Sequence, residues 1–200
     1  MTSRDPLPRR RAVWYLVAAA AGVTAGALAR LLFAVLPAPW DTLANTSALW
    51  GLVPFLVTAG FRVHGRAAAG VGAVGLLTMV SVWVLLAPQP APPRILLLWG
   101  AVGVAAGALC GWAGALASSP LAGQRIVAAA IIGGLVLGEG LYGIVLIGGP
   151  QWWCEALAGA GFAVAWGVTL PERLRALGAA ALVAAALFAA FLGYDAIAAG

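Results

Sequence analysis

Residues Ile131 to Gly161 read IIGGLVLGEGLYGIVLIGGPQWWCEALAGAG. One apolar run closes at Gly149-Pro150, a dipeptide that favours turns, and a second begins directly behind it. The pattern predicts the end of one membrane-spanning helix and the start of the next. Glu139 falls well inside the first span and Glu155 just inside the second. A carboxylate at the centre of a bilayer costs roughly 3 kcal/mol on insertion scales, so such a residue faces the protein interior and has a partner or a task there.

The rest of the chain agrees with a membrane setting. It is 64% hydrophobic and 8% charged, with a mean hydropathy of +1.02. Soluble domains carry about 25% charged residues, so this composition cannot cover a water-facing surface. The positive balance of +5 comes entirely from arginine. Its placement at segment ends points to membrane topology rather than to nucleic acid. Cys110 and Cys154 lie in different apolar segments, with neither metal-ligand spacing nor a disulfide framework. The arginine-rich start is followed by an apolar run too long for a signal peptide, which reads as a retained first span.

A span needs about 20 apolar residues. Seven segments qualify: Val13–Leu36, Ser47–Phe61, Ala67–Ala87, Ile95–Ala117, Ile126–Gly148, Trp152–Leu170 and Leu174–Leu192. The expected fold is all-α, a polytopic bundle of seven transmembrane helices at residues 13–192. A basic segment at 1–12 precedes it and a short tail at 193–200 follows. Placing the N-terminus inside and the C-terminus outside puts Arg4, Arg9, Arg10, Arg11, Arg62, Arg66, Arg125, Arg173 and Arg175 in the cytoplasm. Arg94 alone falls outside and Arg30 within a span, a strong positive-inside bias. The expected location is a bacterial plasma membrane.

Small residues indicate packing faces. Gly100, Gly103, Gly107, Gly111 and Gly114 form a stripe on the fourth span. Gly22, Gly26 and Arg30 share an i,i+4 row, as do Gly134, Gly138 and Tyr142. The first row turns Arg30 toward a neighbouring helix rather than lipid.

The unusual polar groups gather in the outer half: Arg30, Asp41, Asn45, Glu139, Tyr142 and Glu155. Most tryptophans do too, among them Trp40, Trp50, Trp83, Trp99, Trp152 and Trp153, which fits an interfacial belt or a pocket lining. On the sixth span Trp152, Glu155, Gly159, Phe162 and Trp166 share a face. A carboxyl group over aromatic rings suits cation chemistry, because ring faces attract positive charge. Plainer readings stand beside these. Arg30 with Glu139 could be a register-fixing ion pair. Glu155 could cap its helix, and Asp41 and Asn45 could serve the turn. His64 reads as loop, Cys110 as packing and Asp195 as a solvated residue near the terminus.

Two resemblances arise. Leu137-Gly138-Glu139-Gly140-Leu141-Tyr142-Gly143, the tryptophan-rich turn after it, and Leu43-Ala44-Asn45 before Trp50 resemble a family of small actinobacterial membrane proteins, most of them uncharacterised. In size, intramembrane acids and aromatic content the chain also resembles the small integral-membrane terpene cyclases. That resemblance implies protonation of a prenyl alkene or epoxide by a carboxylic acid, here Glu139 or Glu155. Glu139 would be the general acid, positioned by Arg30 or Tyr142, and Glu155 a second acid or the base that removes the final proton. Trp50, Trp83, Trp152, Phe162 and Trp166 would contour the substrate, with Asp41 and Asn45 as further substrate-binding residues. It implies no metal and no cofactor; the partners would be a lipophilic small molecule and membrane lipids. The alternative is a transporter or a substrate-binding membrane subunit, in which the acids bind a cation or relay protons. Oligomeric state stays open.

Overall fold

The computed structural model describes residues 6–89 and 92–198, so Arg4 of the expected basic segment lies outside the described residues. All described regular structure is helical. Seven α-helices follow in order: α1 (Pro6–Val35), α2 (Ser47–Gly60), α3 (Arg66–Leu85), α4 (Pro93–Ala117), α5 (Ala122–Tyr142), α6 (Pro150–Ala165) and α7 (Leu170–Ala198). A 3-10 helix, Trp40–Asn45, precedes α2, and a π-helical turn, Gly143–Ile147, extends α5.

Each of the seven expected segments is helical, but the helices differ in reach. Five, at Arg11–Val35, Arg66–Leu85, Pro93–Ala117, Ala122–Ile147 and Leu170–Gly193, are long and apolar enough to cross a membrane. At 1.5 Å per residue, α2 with 14 residues and α6 with 16 fall short of the roughly 30 Å hydrocarbon core. Leucines and valines stay exposed along the long helices, Leu16, Leu31, Leu97 and Leu182 among them. Such a surface suits lipid rather than water.

The helices fall into two groups joined through α2 and α4. In the first, α3 packs between α1 and α4; in the second, α5 packs against both α6 and α7. Glycine sets the contacts. A Cβ on Gly72 would collide with the Gly107 carbonyl, and one on Gly111 with the Ala68 carbonyl, so the backbones of α3 and α4 touch there. Gly22 and Gly26 bring α1 equally close to Gly75 and Met79 of α3. On α5, Gly133 and Gly140 face α6 while Gly134 and Gly138 face α7. The order of these contacts makes α1 and α3 parallel, α3 and α4 antiparallel, α5 and α6 antiparallel, and α5 and α7 parallel.

The stripe on α4 does not pack along its whole length. A Cβ on Gly103 would meet α3 at an ordinary 3.5 Å, and one on Gly100 would meet nothing within 4 Å. The two helices therefore diverge beyond Gly107. Below the divergence, Phe55, Cys110, Ala113, Ala128, Ile131 and Ile132 form a solid core joining α2, α4 and α5.

Gly107→Val should force α3 and α4 apart, an overpacking cost of about 1–3 kcal/mol, and lower the unfolding midpoint in detergent. Gly100→Val, which meets open space, should leave the midpoint unchanged; equal losses in both variants would refute the contact.

Candidate functional site

The contacts of α5 with α6 position the two acids. Gly140 abuts Ala156 and Gly143 lies against the Trp152 ring, which fixes the register between the helices. Glu139 and Glu155 are both buried, at 7% and 6% exposure, and near enough for their charges to feel each other. Thr46 is buried at 1%. It stands at the start of α2 with extended backbone angles, and its carbonyl accepts from the Trp50 N–H at 3.3 Å, as an N-cap residue does. Its hydroxyl is directed at Glu155 as a donor. Neither Glu155 oxygen completes a well-formed hydrogen bond among the described residues. Gln151, one turn before Glu155 on the same face, is 1% exposed and leaves its Oε1 unpaired among those residues. Thr46, Glu139, Gln151 and Glu155 thus form a polar island in an apolar bundle.

The divergence of α3 and α4 opens a cavity of about 310 Å3. Trp50, Trp83 and Trp99 form its aromatic wall, and Leu76, Val80 and Ala106 line its apolar side. Val102, another lining residue, is 42% exposed, so the cavity opens on the outer surface of α4. The Trp50 and Trp83 rings meet edge to face at 5.5 Å. Asn45 sits at the polar end of the lining. The next residue in the chain, Thr46, points the other way, toward Glu155. One step of backbone therefore separates the cavity from the acids, and neither Glu139 nor Glu155 lines it.

Several expected arrangements are redistributed. Arg30 does not reach the acids, because α1 packs on α3 while α5 packs on α6 and α7. Its Nε donates to the Leu86 carbonyl at 3.3 Å, and its guanidinium lies 5.3 Å from the Trp83 ring centre and 5.6 Å from that of Phe33. Tyr142 does not position Glu139 either: the glycine row it shares faces α7, and its hydroxyl donates to Asp195. Asp195 is thus exposed but held. Asp41 accepts from the Thr42 N–H at 2.9 Å, the turn reading. Trp152 covers Gly143. Phe162 and Trp166 stack at 5.7 Å and pack on the Phe55 core, away from the cavity. Of the expected aromatic contour, Trp50 and Trp83 line the cavity; Trp152, Phe162 and Trp166 do not. Trp40 and Trp153 are exposed, as belt residues would be. No cluster of three or more His, Cys, Asp or Glu able to hold a metal occurs among the described residues.

Thr46 and Gln151 escaped the sequence reading. Gln151 could have been found from its i,i+4 relation to Glu155. Thr46 carried no signal beyond its place before an apolar run.

The chain belongs to a protein family described as a family of unknown function (DUF6518), which matches residues 5–199. No curated protein and no solved structure matches it. The membership brings no activity with it.

Thr46→Val should cost about 1 kcal/mol of stability by removing a buried hydroxyl at a helix start, whereas Thr46→Ser should cost much less. Denaturation in detergent measures both, and identical losses would assign the effect to shape rather than to the hydroxyl.

Proposed function

We propose that this is an integral membrane protein that takes a lipophilic small molecule from the bilayer into the cavity walled by Trp50, Trp83 and Trp99. The observation that carries the reading is the cavity itself. Its volume, about 310 Å3, lies at the lower end of ligand sites, which run from roughly 300 to 1,000 Å3. It is lined by apolar and aromatic side chains with few polar groups, the usual make-up of a small-molecule site. Its exposed edge at Val102 would face lipid. This is the chemistry of a transporter or substrate-binding membrane subunit.

The proposed topology has seven crossings, with the N-terminus in the cytoplasm and the C-terminus outside, in a bacterial plasma membrane. The alternating helix directions support it. So does the gathering of Arg11, His64 and Arg66 around one depression, at the opposite end from Trp50 and Trp83. The short helices α2 and α6 would be completed by the turns before them, since irregular backbone at membrane depth is tolerated where protein covers it. Thr46 is covered in this way.

A second reading, protonation-initiated terpene cyclisation, draws on the acids behind the cavity wall. Glu155 or Glu139 would donate its proton to a substrate alkene or epoxide, the tryptophans would stabilise the carbocation, and a carboxylate would remove the final proton to leave a neutral alkene. Substrate would have to pass the Asn45–Thr46 step to meet the acid. That makes binding the better supported half of the proposal.

Ala106→Leu should fill the cavity and weaken binding of a neutral apolar fluorophore by about tenfold, equivalent to about 1.4 kcal/mol, with an unchanged unfolding midpoint. Undiminished binding would remove the cavity from consideration. Under the cyclase reading, Glu155→Gln and Glu139→Gln should retain binding and lose turnover of prenylated substrates; turnover surviving in both would end that reading.

A further inference from the structure

We infer that the molecule the cavity accepts is an anionic amphiphile, its acidic head held by Arg30 at the rim and its apolar body against the tryptophan wall. The inference rests on the cavity being a binding site and adds the class of ligand. Trp83 is the hinge of the argument, because it lines the cavity while the Arg30 guanidinium lies 5.3 Å from its ring centre.

Arg30 is anchored but unfinished. Its row of Gly22 and Gly26 presses α1 onto α3, and its Nε donates to the Leu86 carbonyl. Leu86 directly precedes the lining residue Ala87. The rings of Phe33 and Trp83 hold the guanidinium plane. Among the described residues, the two Nη groups have no hydrogen-bond partner, and the sole ion pair is Arg125–Glu172, in another part of the bundle. A guanidinium fixed at one edge and open at the other matches the two oxygens of a carboxylate or phosphate.

The other polar groups of the wall fit the same partner. Trp50 carries a buried indole N–H without a hydrogen-bond partner among the described residues, and that group can only donate. Asn45 supplies an amide. No carboxylate lines the cavity, so its wall offers a cationic head no ion-pair partner. Anionic chemistry of this kind belongs equally to a free fatty or isoprenoid acid and to the headgroup of a membrane lipid.

The test uses the whole protein in phosphatidylcholine nanodiscs at about pH 8, where a carboxylic acid is ionised. Pyrene-dodecanoic acid and its methyl ester are titrated, with energy transfer from tryptophan as readout. Wild type should bind the acid at least about tenfold tighter than the ester, the contribution expected of a charge-assisted contact. Arg30→Gln should bring the acid down to the ester's affinity and leave the ester unchanged, which also shows that the variant is folded. Arg30→Lys should keep part of the preference, and Arg94→Gln, at an exposed arginine, should keep all of it. Phosphatidylglycerol in the disc that displaces the acid would identify a lipid headgroup as the source; failure to displace it would identify a free amphiphile, and either supports anionic recognition. Equal wild-type binding of acid and ester, or a preference that survives Arg30→Gln, overturns the inference while leaving the cavity a binding site. Binding of neither probe overturns both.

Discussion

The backbones of α3 and α4 touch at Gly72, Gly107 and Gly111, and the other features of this half of the bundle follow from that contact. Lipid tails are as apolar as leucine, so helices in a bilayer gain little from hiding apolar side chains from water; close approach through small residues supplies the attraction instead. Contact at one end of an antiparallel pair leaves the other end free to diverge. Here the divergence exposes Trp83 and Trp99 to a common space, and Trp50 closes it from α2. On an adjoining face of α3, the same use of glycine seats α1, and with it Arg30 against Trp83.

The second group of helices uses glycine differently. Helix α5 has two glycine faces, one for α6 and one for α7, so it is enclosed and its polar residue has nowhere to go but inward. Glu139 accordingly lies buried, within electrostatic range of Glu155, rather than in lipid. Two ionised carboxylates would repel strongly where the dielectric is low. The start of α2 offers compensation, because the first N–H groups of a helix carry partial positive charge and the Thr46 hydroxyl points the same way.

The helices were legible in the sequence because apolar runs of this length have few other solutions. The burial of Glu139 and Glu155 was legible because a carboxylate in hydrocarbon must find protein. Arg30 was correctly turned inward by its glycine row, yet its partner was not readable: a row names the face, not the helix that meets it. The same limit explains Tyr142, whose row with Gly134 and Gly138 leads to α7 and Asp195 rather than to Glu139. Shared helical face also misled for Phe162 and Trp166. They do follow Glu155 along α6, but the Phe55 core claims them, because α2 begins at the level of the acids and fills the space below. The cavity itself was out of reach, since an evenly spaced glycine stripe gives no sign of where two helices part.

Helix α2 has a consequence for how the chain is made. Its 14 residues include Pro54, and its buried side is completed by α4 and α5 as well as by α3. Those partners emerge from the ribosome later. A segment this short is a poor substrate for lateral release from the translocon on its own. In the proposed membrane setting, its packing is completed only when those later helices are made. The tryptophan wall takes Trp50 from α2 and the acid island takes Thr46 from its start, so the wall is complete only once α4 has been made and the island only once α6 has.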